Sequence, residues 1–392
     1  MNYIVFEDNN CHLLKPLSDL HASFEVRIGA FNNIDRIINH TEKGDTVQLY
    51  VRDEIESLIK NKYPNFDVNP DSYKPGRYLN GSAVWDFESM KKINENLSYC
   101  NDKGLMAFHS SNSINKNDLK YKFNDFSEVF SKIEIPSIKY LWDVFELIKD
   151  AIILDNKILH QYRVGDLHPS SILINEDDII ISEGTKVSAN SILDASQGPI
   201  ILEKDSFVDI GALIKGPVYI GKNSIINPGT KIRGSVVIGP SSKIGGELED
   251  CVIQGFSNKQ HDGFLGHSYI CEWVNIGANT NTSDLKNNYG NIKLKLDYNN
   301  EVDTGKMFIG SLIGDFCCTA ISTKLNSGTV VGIGSNLFDD GFQNKYIEPF
   351  SWGKKDRVDL NKFINTAERI MKRRSTLMTD SLKKRLIKLY KN

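Results

Sequence analysis

The 392-residue chain has no Cys-x-x-Cys pair, and its six cysteines (11, 100, 251, 271, 317 and 318) form no even framework. That excludes a zinc ribbon and a disulfide-stapled scaffold. Charge of one sign is also missing: 47 basic against 50 acidic residues leave a net charge of −3. The basic excess of a nucleic-acid binder is therefore absent. No run approaches the ~20 apolar residues that span a bilayer. The opening MNYIVFE lacks the basic and long apolar stretches of a secretory signal. A reduced, cytoplasmic protein with no membrane span and no nucleic-acid partner is expected. What the chain does have is 40% hydrophobic and 25% charged residues, enough for a sizeable core, and a length that suits two domains.

Residues 1–165 alternate between strand and helix patterns. Tyr3 to Phe6 reads as a buried strand, Ile28 to Ile38 as a helix and Thr46 to Val51 as a strand. Glu54 to Lys60 is helical again, Leu105 to Phe108 a strand, and Ile138 to Ile153 a helix. This order predicts a mostly parallel α/β sheet.

From about residue 170 glycines become frequent and an aliphatic ladder of period six appears: Val208, Ile214, Ile220, Ile226, Ile232, Ile238 and Ile244. Four residues after each rung but the last comes a small or β-branched residue: Ala212, Val218, Ser224, Thr230, Val236 and Ser242. This is the hexapeptide signature of a parallel β-helix. Each hexapeptide forms one side of a triangular coil, and three sides advance the chain by one strand spacing, about 4.8 Å. The aliphatic residue points inward and stacks on the residue eighteen positions away.

After Ile244 the frame shifts, and the ladder is expected to resume at Phe264, Ile270 and Ile276. A polar insertion between Thr282 and Lys306 is too long for one rung and should project as an arm. A weaker ladder, Met307, Ile313, Thr319, Leu325 and Val331, follows. The basic amphipathic tail from Leu360 to Asn392 predicts one or two helices packed against the end of the coil. The expected domains are 1–165, 166–352 and a tail, 353–392.

Two of the eight histidines fall in SNKQHDGFLGHSYICEWVNIGANT, Ser257 to Thr280, just before the insertion. His261 is followed by Phe264-Leu265-Gly266, then by Val274-Asn275-Ile276-Gly277-Ala278-Asn279-Thr280, and later by Asn288-Tyr289-Gly290. This stretch resembles the acetyltransferase half of the GlmU family, the bifunctional N-acetylglucosamine-1-phosphate uridylyltransferase/glucosamine-1-phosphate acetyltransferases. The resemblance implies a left-handed β-helix, a homotrimer and acetyl-CoA as cosubstrate. It further implies that His261 is the catalytic base and that Asn275 lies near the amine. Asn288 and Tyr289 would contact a sugar phosphate, and Ala278 would contact acetyl-CoA through its backbone. Phe264 stands where the family has Tyr, Asn279 replaces a Gly, and no Asp follows Tyr289. These departures bear on the acceptor.

The chemistry is independently sensible. Acyl transfer from a thioester to an amine needs a base with a pKa near neutrality, which histidine has. It also needs N–H donors for the oxyanion, which a rigid coil can supply. His267 occupies the equivalent point on the next side of the triangle, either as a second substrate contact or as an ordinary polar exterior residue. A covalent route through Cys271 would need an activated thiolate. Histidines could also serve a zinc-dependent enzyme of the gamma carbonic anhydrase type.

In sugar nucleotidyltransferases a glycine-rich loop after the first strand wraps the nucleotide phosphates. Here Glu7 to Val26, EDNNCHLLKPLSDLHASFEV, contains no glycine. Lys15, Arg27 and Asn80 could hold a phosphate or sugar differently, or Asn80-Gly81 could be only a turn. The shortened first domain, the GFSNKQHDGFLGHSYI stretch and the MKRR tail together resemble a GlmU-like group of sugar nucleotidyltransferases. The expected protein is therefore a transferase of sugar-nucleotide biosynthesis. It would acylate an amino-sugar phosphate or nucleotide sugar, with a companion sugar-1-phosphate nucleotidyltransferase activity that uses an NTP and Mg²⁺. The alternatives are a non-catalytic sugar-nucleotide-binding trimer and the zinc enzyme.

Overall fold

The computed structural model describes residues 1–94, 97–123, 130–159 and 164–392. The first part is a seven-stranded sheet in the order Asp67–Val68, Thr46–Tyr50, Asn2–Phe6, Gly76–Asn80, Gly104–Ser110, Ser98–Asn101, Phe130–Lys132. The first four strands run parallel, whereas Gly104–Ser110 is antiparallel to both of its neighbours. The expected mostly parallel sheet is thus a mixed one. Alternation along Asn2–Phe6 decides its two faces. Tyr3 and Val5 face a core shared with helices Asn33–Asn39 and Glu56–Lys62, and Ile4 and Phe6 face Leu119 and Phe123.

Two helices are shorter than their apolar spacing suggests. Residues 28–32 are not helical, because Asn32 accepts the Asp35 N–H through its side chain and so starts the helix at Asn33. Residues 138–140 are likewise non-helical, and the long helix runs Val144–Asn156. Between these two helices Asp155 receives Arg36 Nε at 2.7 Å and Nη2 at 2.8 Å, with both side chains fully buried.

From Asp166 the chain winds into a parallel β-helix whose strands stack in three faces. Every rung from Val208 to Ile244 is buried, as are the six small residues between them. The eighteen-residue stacking holds: Val208 pairs with Ile226 and Ile226 with Ile244. On the third face nine strands stack, and there the middle residue of each apolar triplet points outward. Ile180, Ile201, Tyr219, Val237, Val252 and Tyr269 form this outer stripe, and they are covered by Val144, Ile148 and Ile152 of the long helix and by Leu14, Val26 and Ile28. The first domain is therefore bound to the side of the prism by apolar burial.

Three expectations change. The inward rung after the frame shift is Leu265, paired with Leu248, so Phe264 points outward. Met307 is not a rung but is 41% exposed. The insertion does not stand free. Its hairpin, Lys293–Lys295 with Glu301–Asp303, lies back on the third face, where Ile292, Leu294 and Leu296 join Leu312 and Val330.

The tail forms two helices, Leu360–Lys372 and Asp380–Lys391. They pack along a corner of the prism and on the first domain rather than over the end of the coil. That corner carries Phe256, Trp273 and Phe316 on successive coils and, after a coil with Gly334 there, Phe350, the four aromatics all at positive φ (54°, 64°, 60° and 62°). Such backbone costs on the order of 1–3 kcal/mol per residue. It is offset by ring contacts: Phe256 stacks on Trp273 at 4.5 Å, and Phe363 of the tail meets both Phe316 and Phe350 edge-on.

Candidate functional site

The hexapeptide geometry sorts the sequence-derived residues by corner. His261 is exposed at the turn between the first and second faces, directly after strand Asn258–Lys259. The next coil repeats that turn with Ala278, and the Asn279 N–H donates to the Asp262 carbonyl at 2.9 Å. Asn275 stacks on Asn258, whose Nδ2 donates to Asn275 Oδ1 at 3.2 Å. Phe264 opens the second face beside this turn, with its N–H held by Asn281 Oδ1 at 2.9 Å. His261, Phe264, Asn275 and Ala278 thus share one edge of two adjacent coils.

The other residues lie elsewhere. His267 sits at the following corner, between the second and third faces. Its Nδ1 is 2.9 Å from Asp284 and its Nε2 3.6 Å from Asp250, and its ring stacks on Phe308. Burial raises the Asp250 carboxyl, and His267 works against that shift. Asn288 and Tyr289 belong to the insertion, which leaves the second face at Thr282, so they lie one corner away from His261. Tyr289 is 66% exposed. Lys15 borders a polar groove of about 850 Å³ that also contains Arg52 and Arg385. Arg27 is buried between the domains, its N–H on Gln254 and Tyr269 and its Nη1 on the Ala30 carbonyl. Asn80 is fully buried and donates to Asp8 and to the Leu105 carbonyl while Ser82 donates to it, so its amide is committed to the turn.

Two residues at the His261 corner, Lys259 and Arg374, were missed from the sequence. Lys259 occupies an inward rung between Ile244 and Ile276, where an aliphatic residue belongs. It is 3% exposed, and its ammonium donates to the carbonyls of Gly245 at 2.9 Å and His261 at 2.8 Å. Burial pulls its pKa down to about 8. Arg374 of the MKRR tail donates from Nη2 to Asn258 Oδ1 at 2.6 Å, fixing the residue on which Asn275 stacks. A polar side chain at a ladder position was the signal for Lys259. Nothing local in the sequence links Arg374 to Asn258.

Cys271 is fully buried, which pushes its thiol well above the ordinary value. It is not an activated nucleophile. The segment Glu7 to Val26 coils into three short 3₁₀ turns. At the strand ends Glu7 is held by Arg52 and the Ser23 N–H, and Asp8 by Asn10 and Asn80. A different grouping that could take a metal, His21, Glu272 and Asp315, lies between the domains. No helix among the described residues is long and apolar enough to cross a membrane.

Residues 3–164 match the family model for sugar nucleotidyl transferase. A bifunctional sugar-1-phosphate nucleotidylyltransferase/acetyltransferase from Sulfurisphaera tokodaii is 30% identical over 151 residues, 38% of this chain and 37% of the relative. The match spans just over a third of that relative's length. Both findings support the GlmU-like resemblance read from the motifs. Among solved structures, an Arabidopsis UDP-N-acetylglucosamine acyltransferase aligns with 59% of this chain and 90% of its own, at 12% identity and a TM-score of 0.27. A hexapeptide transferase family protein from Anaplasma phagocytophilum aligns with 58% and 85%, at 12% identity and a TM-score of 0.15.

Proposed function

Starting from a chain whose residues 3–164 match the sugar nucleotidyl transferase model and whose hexapeptide motifs are GlmU-like, we propose that its β-helix transfers an acyl group. The donor is acyl-CoA, most simply acetyl-CoA, and the acceptor is the amine of an amino-sugar phosphate or nucleotide sugar. One observation carries this reading: His261, Asn275, Ala278 and Phe264 lie on a single edge of adjacent coils, although up to seventeen residues separate them in sequence.

The amine attacks the thioester carbon, and His261 takes the proton from nitrogen as the bond forms. The tetrahedral oxyanion, held by a backbone N–H at Ala278, collapses and expels the CoA thiolate, which is then protonated. Asn275 orients the amine. Because Asn288 and Tyr289 leave from a different corner, they act on the site of an adjacent copy in a homotrimer. His267 supports the base of that arm through Asp284. Phe264 presents a ring without a hydroxyl, so the acceptor is read there by apolar contact.

A second reading applies to the first domain. Mg²⁺ for nucleotidyl transfer would need free carboxylates at the strand ends, and both Glu7 and Asp8 are already engaged. These residues do not fit the ion. The observation favours a domain that binds a sugar nucleotide without consuming an NTP.

CoA release from acetyl-CoA, measured across a panel of amino-sugar phosphates and nucleotide-linked amino sugars, tests the proposal. Wild type should turn over one acceptor class, and His261→Ala should lose about 10²–10⁴-fold. Equal rates for the two proteins, or no turnover with any acceptor, would refute it.

A further inference from the structure

The glycine-free segment after the first strand packs against the prism and delivers His21 to it. His21 is 2% exposed, and its Nε2 lies 3.0 Å from Asp315 Oδ1. The same oxygen accepts the Glu272 N–H at 3.0 Å, which fixes the Asp315 carboxylate. Its other oxygen, Oδ2, is buried and has no hydrogen-bond partner. Glu272 and Asp315 precede Trp273 and Phe316 at the aromatic corner, so the coil repeat itself sets the two carboxylates side by side. The three side chains bring ligand atoms within 4.8 Å of one another. They line a cavity of about 340 Å³ between the domains, floored by Phe256 and Trp273.

We propose that His21, Glu272 and Asp315 bind one first-row divalent transition cation that joins the first domain to the β-helix. Charge supports this. Lys62, the nearby ammonium, is committed to Glu25 at 3.0 Å, which leaves two carboxylates to be matched by one dication. A bound cation gives Asp315 Oδ2 a partner. One imidazole with two carboxylates suits Mn²⁺, Fe²⁺, Co²⁺ or Zn²⁺ rather than the all-oxygen preference of Mg²⁺ or Ca²⁺. Bonds of about 2.1 Å place neighbouring ligand atoms about 3.0–3.6 Å apart, so atoms now up to 4.8 Å apart draw together by about 1 Å on binding.

The proton arrangement is also workable. Lys62 Nζ lies 3.2 Å from His21 Nδ1, which sets the imidazole proton on Nε2, facing Asp315. Metal ligation at Nε2 moves that proton to Nδ1. There it meets Lys62 Nζ at 3.2 Å, so Lys62 shifts aside and Glu25 Oε2, now 3.9 Å away and beyond hydrogen-bond length, closes in to accept it. Lys62 keeps its bond to Glu25 Oε1. With three protein ligands, at least one coordination position faces the cavity and accepts an oxygen donor from a bound small molecule.

The test is calorimetric titration of the chelator-stripped full chain with MnCl₂ and, separately, ZnCl₂. Nitrogen modulation in the Mn²⁺ electron spin echo reports the imidazole. One ion per chain is expected, lost in Glu272→Gln and in Asp315→Asn, with the nitrogen signal lost in His21→Gln. Circular dichroism checks folding. If Asp315→Asn does not fold, Glu272→Gln decides alone. Absence of stoichiometric binding by wild type, or binding unchanged in the carboxylate variants, would overturn the proposal and leave a plain interdomain ion network.

Discussion

Lys259 offers the sharpest test of how the prism is held together. Its side chain replaces one aliphatic rung, is 3% exposed, and meets only the carbonyls of Gly245 and His261 through hydrogen bonds. Burial lowers its pKa from 10.5 to about 8, and the attraction of Cys251 and Asp262 offsets only part of that. The gap amounts to about 3 kcal/mol at about 1.4 kcal/mol per pH unit. Below pH 8 the amine is charged in both folded and unfolded chains, and the folded state bears the full penalty. Between pH 8 and about 10.5 the unfolded chain binds the extra proton, so the penalty is relieved as pH rises. Lys259→Met carries no such term. Urea unfolding of both proteins at pH 7 and at pH 10.5 should therefore show the stability of wild type gaining about 3 kcal/mol on the variant. The comparison cancels every other group that titrates in both. A wild-type-minus-variant difference that is flat over this range would refute a charged lysine inside the prism.

Other substitutions probe the remaining elements. Asp155→Ala strips the partner from fully buried Arg36 and should cost about 3–5 kcal/mol, read as a lowered urea midpoint. Ile226→Ala removes a rung stacked between Val208 and Ile244 and should cost about 2–5 kcal/mol by the same assay. Cys271→Ala should retain CoA release within a few-fold. Intact mass of wild type after exposure to acetyl-CoA should show no acyl adduct, whereas a stable adduct on Cys271 would contradict the direct mechanism.

The sequence by itself determined the β-helix. A period-six aliphatic ladder can bury its side chains only by coiling, because a rung has no inward neighbour until the chain returns eighteen residues later. That logic located the rungs from Val208 to Ile244 and separated the coil from the strand–helix pattern before it. His261 lies fourteen residues from Asn275 and seventeen from Ala278, off the eighteen-residue repeat, so their shared edge followed only from the strand pairing, such as Asn258 with Asn275. Where the local period failed, the reading failed with it. Leu265 rather than Phe264 is the rung because the coil after Ile244 is shortened, which only pairing with Leu248 reveals.

Tertiary structure decided the rest. The middle residues of triplets such as Ile179-Ile180-Ile181 and Val218-Tyr219-Ile220 were visibly apolar, yet their outward direction, and hence the docking of the first domain, depends on which face of the prism they occupy. The polar insertion folds back because Ile292, Leu294 and Leu296 alternate on one side of a hairpin, a pattern masked by the charged residues between them. His21 lies 294 residues from Asp315, and Arg374 lies 116 from Asn258. Neither distance leaves a periodic trace. Such contacts form only when separately folded elements meet, and there burial, charge and hydrogen bonding choose the partners that patterning cannot.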